Sequence, residues 1–540
     1  MIQQSFEPIF IGAAGTGDEA AAKDFGAREL GSKAAMLWRM NALGFAVPPA
    51  FVLPTALCAP ANAGEAPALR AIDEGLRAGV AFLEQATGRH FGDARRPLLV
   101  SVRSGAERSM PGMLETVLDV GLNAATLRGL IRLTGNPRLA FDSRRRFIES
   151  YCEVVGGVDP SALAQRLAAM MGEEDALNEA ELDCEALERL VKDFEAIAAR
   201  ECEAPLPDDP FEQLAGAARA VYRSWDSPKA REYRRLNALE GLQGTAVTVQ
   251  AMVFGNAGGQ SGAGVAFSRN PSTGAKELYV DFLLDAQGED VVSGRRTPGD
   301  AALLAARLPQ VAQELGLAAA RLEAEFKDVQ DIEFTVEEGK LFFLQTRAAK
   351  RAPLAAVRIA ADLKREGVID AAAALQRIEG IDLAALGEQR FVGSAEAVAH
   401  ATAAAQGVAS GRAAFDSESA KELAAAGDPV ILVRPDVATD DIAGFAAAAG
   451  VLTATGGRTA HAAVVARQMG KVCLVGCAAL RVDPALHEAR LGEHVVRQGD
   501  FLSLDGSSGE IFLGRREIVI ERPDAELAEI ASWREARKAS

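Results

Sequence analysis

A change of texture at Phe391 constrains the fold of this 540-residue chain more than any other feature. Before it, helical patterns alternate with short β-rich runs: PLLVSV (Pro97–Val102), TAVTVQAMVF (Thr245–Phe254), ELYVDFLL (Glu277–Leu284) and LFFLQT (Leu341–Thr346). An Ala-rich amphipathic stretch, from about Leu354 to Ile381, reads as one long helix leading up to the change. After it come PVILVRPD (Pro429–Asp436), GVLTAT (Gly450–Thr455) and VCLVG (Val472–Gly476), which read as buried strands, and one short helix after Thr459. GDFLSLDGSSGEIFLG (Gly499–Gly514) reads as strand, Gly-rich turn, strand. The pattern predicts a multidomain α/β and α+β protein, and the length is ample for several cores at roughly 150 residues each. Expected boundaries are a first domain over 1–350 with a helical insertion at about 116–210, a helical linker over 351–390, a small domain over 391–515, and a polar connector over 516–540.

The formal charge of −17 argues against nucleic-acid binding and against a polybasic membrane surface, which both depend on clustered Lys and Arg. The charge is uneven. The stretch from Glu173 to Asp209 alone carries −11, and its Leu182, Ala186, Leu190, Phe194 and Ile197 recur at helical spacing, predicting a solvated acidic helix packed on one side. Upstream, Arg103, Arg108, Arg138, Arg144, Arg145 and Arg146 gather, predicting a basic local environment. The six cysteines are too sparse for a disulfide framework and read as buried thiols, the Cys473/Cys477 pair included. No signal peptide or membrane span is expected, because MIQQSFEPIFIG lacks a basic start and Ile442–Gly457 reads as a helix running into a strand. A cytoplasmic location follows as the expectation.

Five segments carry candidate chemistry. In ELGSKAAML (Glu29–Leu37), Lys33 stands at a turn entering a helix, where an ammonium and the helix dipole can meet an anion. In PLLVSVRSGAERSMPGM (Pro97–Met113), a strand delivers Arg103 to a Ser/Gly loop, an arrangement suited to forked binding of phosphate or to a structural arginine. GNAGGQSGAG (Gly255–Gly264) suits either a phosphate-cradling loop or a flexible hairpin turn. In QDIEFTVEEGKLFFLQTR (Gln330–Arg347), Asp331 and Glu333 share a strand face. A three-residue loop Glu337-Glu338-Gly339, with Gly339 left-handed, would pair Val336 with Lys340 and set Asp331 opposite Gln345, gathering hard oxygen ligands for Mg²⁺. In ATGGRTAHAAVVARQMG (Ala454–Gly470), a strand ends in two glycines and a helix begins with His461 in its first turn. There a neutral imidazole is a nucleophile and a phosphoryl group on it would sit at the helix's positive end.

Together these segments, with FDSRRRFIESYCEVVGGV, GTAVTVQAMVFGN, GVAFSRNPSTG and AQGEDVV, resemble the pyruvate, phosphate dikinase family in kind and in order, from Glu29 to the terminal connector. SMPGM separates the chain from the water-using phosphoenolpyruvate synthases. The resemblance implies an ATP-grasp-like nucleotide-binding domain followed by a small swivelling β/β/α phosphohistidine domain. It implies a histidine that attacks the ATP β-phosphorus, releases AMP, and loses its outer phosphoryl to inorganic phosphate as pyrophosphate. By motif, His461 is the implied phosphocarrier. Lys33, Arg103 and Arg347 are implied to hold the triphosphate, with Gly112 and Arg146 lining the same cleft. Glu289, Asp290 and Val291 are implied nucleoside contacts, Asp331, Glu333 and Gln345 implied Mg²⁺ ligands, and Thr459 the family's regulatory phosphorylation position.

The chain departs from the family in three places. Gly31-Ser32-Lys33-Ala34 replaces G-G-K-G, and Ala460 replaces the serine before the histidine. The family continues into a C-terminal (β/α)₈ barrel for pyruvate and phosphoenolpyruvate, whereas this sequence stops after Trp533–Arg537, in what resembles the linker to it. The leading expectation is therefore an enzyme that makes phosphohistidine from ATP and phosphate and hands it to a pyruvate-binding barrel on a separate chain. The alternatives are transfer to a different acceptor, or a nucleotide-binding regulatory protein whose catalysis has decayed.

Overall fold

The computed structural model describes residues 6–12, 25–108, 110, 115–203, 205–292, 296–384, 386–436, 441–457, 461–483 and 486–539. Its contacts divide the chain into two compact units. One comprises Met1–Gly259 with Phe342–Thr346, the other Gln260–Leu341 with Arg347–Ser540. The boundaries expected near 350 and 391 therefore both fall within the second unit.

The first unit is built on a five-stranded sheet of β1 (Ile9–Ile11), β2 (Ala50–Leu53), β3 (Val100–Ala106), β4 (Thr116–Val120) and β5 (Thr245–Ala251), in the order β1-β2-β5-β3-β4. Arg103 pairs directly with Thr248 of β5 and Thr116 of β4. Helix α1 (Ala27–Ala42) is interrupted at Gly31, whose φ of 75° and ψ of 158° are not helical. A Cβ at that position would collide with the Gly105 carbonyl, so both the backbone angle and the close approach require glycine. The expected insertion starts later than 116, because Thr116–Val120 is a strand of the sheet.

Within the insertion, α2 (Pro137–Val154) packs on α3 (Cys184–Glu201). The acidic helix expected from periodicity is α3. It buries Ala186, Leu187, Leu190, Val191, Phe194 and Ala198, and its N-cap Asp183 accepts from the Ala186 N–H. Its charge, however, is not all solvated: Glu195 accepts from Arg144 at 2.8 Å, and Glu179 just upstream accepts from Arg145 at 2.9 Å. Arg138 donates to the Leu182 and Glu179 carbonyls. The basic cluster expected from sequence is thus largely consumed inside the fold, since a buried guanidinium must be paired.

The second unit holds β6 (Gly262–Phe267), β7 (Tyr279–Leu284), the short helix α4 (Gly288–Val292), β8 (Gln330–Glu337) and the two ends of β9 (Lys340–Ala348), whose residues Phe342–Thr346 belong to the first unit; the strand order is β9-β8-β6-β7. The Gly-rich segment is divided between a turn and the start of β6. Gly262 and Gly264 are strand residues pressed under the Phe282 and Phe334 rings, while Gly258 and Gly259 turn the chain with φ of 83° and 59°. The segment is not a hairpin turn, because it joins strands of two different sheets. The β8–β9 turn has two residues rather than three: Glu338 and Gly339 are both left-handed, at φ 50° and 79°, so Glu337 rather than Val336 flanks the turn opposite Lys340. The expected long helix is also two, α5 (Pro353–Arg365) and α6 (Ala371–Arg377), broken at Gly367 with φ 72°.

An eight-stranded sheet follows. It contains β10 (Ala399–His400), β11 (Thr402–Ala405), β12 (Val408–Ala414), β13 (Val430–Arg434), β14 (Gly450–Thr453), β15 (Val472–Val475), β16 (Phe501–Asp505) and β17 (Glu510–Leu513), in the order β10-β17-β16-β12-β13-β14-β15-β11. Strands β12 to β15 run parallel, and the VILV run of β13 and the VCLV run of β15 are continuously apolar because both faces are covered. In β13, Val430 and Leu432 enter the core under the helices, while Ile431 and Val433 enter the core on the opposite face. Three helices serve this sheet: α7 (Ser417–Ala425), α8 (Ile442–Ala447) and α9 (His461–Met469). Of these, α7 was not expected from sequence.

Candidate functional site

In the first unit the break at Gly31 places Lys33 in the first turn of the helix that resumes after it, half-buried. Because Gly31 packs on Gly105, the lysine segment is seated on the strand that carries Arg103 two residues earlier. On that strand Arg103 Nε is buried and without a hydrogen bond among the described residues, and so is the hydroxyl of Thr248, its directly paired residue on β5. Two orphaned polar groups on adjacent paired residues are unusual in a folded core and fit an anionic oxygen ligand. Thr248 was missed by sequence reasoning, since a threonine in a β-rich run carries no signal by itself.

Arg146 has a different setting. Its Nε donates to Asp142 at 3.0 Å, and Asp142 also accepts from Arg145 at 2.7 Å and from Asn256 at 3.1 Å. Burial penalises the Asp142 carboxylate, but the two guanidinium groups outweigh this and hold it well below the usual carboxylate range. Asp142 thereby fixes Arg146 in place. Gly112 and Thr459, with Ala460, lie outside the described residues.

In the second unit Arg347 Nε donates to Asp331 Oδ2 at 2.8 Å, and its Nη2 lies 3.9 Å from Glu333 Oε1. The shared face expected for Asp331 and Glu333 is thus occupied by Arg347. Gln345 is buried and precedes Arg347 by two residues on β9, the spacing of one strand face. Asp331 Oδ1 is buried and has no hydrogen bond among the described residues. Burial raises the Asp331 carboxyl above its ordinary pKa, with Arg347 opposing the shift. Among the described residues no group of three or more His, Cys, Asp or Glu gathers as a metal site. Within this unit the donor set is still one that a hard cation takes: two carboxylates, one with a buried oxygen that has no hydrogen bond among the described residues. With the two-residue turn Gln345 falls opposite Ile332 rather than Asp331, so the expected Asp331–Gln345 pairing is not formed.

On α4, Glu289 is exposed, Asp290 accepts from the Gln287 N–H at 2.9 Å, and the Val291 side chain is fully buried in the core. Only the Val291 backbone therefore remains for a ligand.

His461 opens α9, and its backbone is described while its side chain is not. Gly457, four residues before it, is packed against Pro298 and the carboxylate sheet. A Cβ on Gly457 would collide with the Pro298 ring and sit 3.2 Å from Asp281 Oδ2 of β7. Further along α9, Arg467 is fully buried, donates to the Ala404 carbonyl at 2.8 Å and stands 5.8 Å from the Phe267 ring centroid. Burial lowers its pKa, with Asp281 and Asp331 among the groups opposing. Tyr279 and Ser272 add hydrogen bonds to the Ala403 and Ala404 carbonyls, both at 3.2 Å. Asp281 and Arg467 also escaped sequence reasoning. Their signal was a lone charge inside an otherwise apolar strand (YVDFLL) and inside an apolar helix.

Residues 68–314 match the family model described as the pyruvate phosphate dikinase AMP/ATP-binding domain, and residues 426–509 match the mobile domain of PEP-utilising enzymes. Over these domains the chain matches the pyruvate phosphate dikinase family. The pyruvate, phosphate dikinase of Clostridium symbiosum is 44% identical over 490 residues, covering 90% of this chain and 56% of that protein. Pyruvate, phosphate dikinase 2 of Zea mays is 42% identical over 513 residues, covering 93% and 57%. A chloroplastic dikinase of Flaveria pringlei is 41% identical over 508 residues, covering 93% and 53%. The chain thus spans a little over half the length of these dikinases. The domain matches agree with the two architectures expected of it: a mixed α/β nucleotide-binding part and a small dikinase mobile domain. Among the described residues no helix is long and apolar enough to cross a membrane.

Proposed function

We propose that the chain carries out the nucleotide half of the dikinase reaction, forming phosphohistidine at His461 from ATP and inorganic phosphate with release of AMP and pyrophosphate. The observation that best supports this is the packing of the Gly457 loop, which leads into the His461 helix, on the sheet that carries Asp281, Asp331 and Glu333. In this reading the neutral imidazole attacks the β-phosphorus. The N–P bond forms as the bond from Pβ to the α–β bridging oxygen breaks, and AMP leaves with that oxygen. Inorganic phosphate then attacks the γ-phosphorus, pyrophosphate departs, and the β-phosphoryl stays on the ring. Lys33, Arg103, Arg146 and Arg347 bind the phosphates, and Glu289, Asp290 and the Val291 backbone bind the nucleoside. Asp331, Glu333 and Gln345 would hold Mg²⁺, which when bound neutralises charge on the phosphate oxygens.

Positioning and charge neutralisation suffice for such transfers, since the phosphoryl group needs little covalent help. The acceptor-binding unit, a pyruvate barrel in this proposal, lies outside these 540 residues, and the location is the cytoplasm. The test is the formation of AMP and pyrophosphate from ATP, Mg²⁺ and phosphate in the presence of an acceptor barrel. ATP binding without AMP formation would instead indicate a nucleotide-binding regulator.

A further inference from the structure

Cys152 lies in the last turn of α2, and Cys202 stands just past the end of α3. Both are free thiols, and their sulfurs are 3.3 Å apart. Cys152 is fully buried, whereas Cys202 is half-buried. The approach is fixed by the helices rather than by a loop, because α2 and α3 are also joined by Arg144 and Glu195 at 2.8 Å. The backbone makes room for it as well: a Cβ on Gly156 would come within 2.7 Å of the Cys202 sulfur. Two thiols in van der Waals contact need only a small further approach to reach the ~2.05 Å of a disulfide.

We infer that Cys152 and Cys202 form a disulfide when the protein meets a peroxide, which makes the pair an oxidative modification site that ties the end of the acidic helix to α2. The partly exposed Cys202 reacts first. Its thiolate attacks one peroxide oxygen, the O–O bond breaks, and the departing hydroxide takes up a proton to become water. Cys202 is left as a sulfenic acid. The Cys152 sulfur then attacks the Cys202 sulfur, the S–O bond breaks, and the hydroxyl leaves as a second water with the Cys152 proton. The two thiols supply the two electrons that reduce one peroxide.

The order follows from the surroundings of each sulfur. Burial, reinforced by the contact with Cys202, pushes the Cys152 thiol up, so Cys152 is the poorer first nucleophile and acts as the resolving partner. Burial also pushes Cys58 up to about 11 and Cys473 up to about 12, which keeps those thiols inert. The tie matters for the first unit because α2 is also the helix that carries Arg146 and Asp142.

The native chain is treated with hydrogen peroxide, alkylated without reduction, digested and examined by mass spectrometry. A linked Cys152–Cys202 peptide is expected, with loss of two of the six thiols, recovery on adding dithiothreitol, and a rise in Tm that Cys202→Ser does not show. Two outcomes would overturn the inference. One is peroxide treatment that oxidises Cys202 while leaving Cys152 a free thiol. The other is an equal yield of linked peptide from protein denatured in guanidinium before oxidation, which would remove the fold from the explanation.

Discussion

Arg347 binds one oxygen of Asp331 and leaves the other buried with no hydrogen-bond partner among the described residues. A guanidinium so placed opposes the rise that burial imposes on the Asp331 carboxyl, and its planar fork suits binding of phosphate oxygens. Arg347→Lys keeps the charge and loses the fork, so phosphohistidine formation should fall about 10²-fold with little change in Tm, because Arg347 is half-exposed. Single-turnover kinetics and a thermal melt together check this. An unchanged rate would remove Arg347 from the site.

Gly457→Ala should separate docking from folding. The added methyl would collide with Pro298 and crowd the Asp281 carboxylate, so the loop before His461 cannot sit on β7 as it does. Autophosphorylation should slow at least about tenfold, the effect of little more than ~1.4 kcal/mol of misplacement, while Tm stays near that of the wild type. A normal rate would show that this docking is not on the reaction path.

Asp142→Asn leaves Arg145 and Arg146 buried without their shared counter-ion and should cost ~3–5 kcal/mol at neutral pH. The sign of the pH dependence follows from the depressed carboxyl. Its stabilisation is fully present above the unfolded value of ~3.9 and is lost as pH falls from there toward the folded value. Denaturant unfolding should therefore show a gap between the wild type and the variant that is constant near neutrality and shrinks below about pH 4. A gap that does not change with pH would contradict the assignment.

Gly31→Ala tests the seat of Lys33. It forces a side chain into a left-handed position and against the Gly105 carbonyl, so the segment must lift off β3. A weaker apparent affinity for ATP, with a loss of ~1–3 kcal/mol in stability, is expected from equilibrium binding and denaturant unfolding. Wild-type affinity would show that Lys33 is not positioned through this contact.

The histidine helix, the buried parallel strands and the Asp331–Glu333 face were all legible in sequence, because each rests on a local period or a local turn. What escaped depends on partners far along the chain. Arg144 and Arg145 read as a positive patch until Glu195 and Glu179, 51 and 34 residues away, are seen to pair with them. The β8–β9 turn went wrong for a different reason. Glu-Glu-Gly fits either turn length, and the left-handed Glu338 that decides between them is rare for a residue with a Cβ. Asp281 and Arg467 mark the docking surface between two sheets, and a surface of that kind has no period to read.

The central claim is that His461 retains the β-phosphoryl of ATP. The chain is incubated with Mg²⁺, phosphate and ATP labelled at either the β- or the γ-phosphorus, then quenched and treated with acid, and compared with His461→Ala. The account predicts acid-labile label on the protein from β-labelled ATP, γ-label recovered as pyrophosphate, and no label on His461→Ala. Label that survives acid, that persists in His461→Ala, or that comes equally from the γ-position in the presence of phosphate would contradict it.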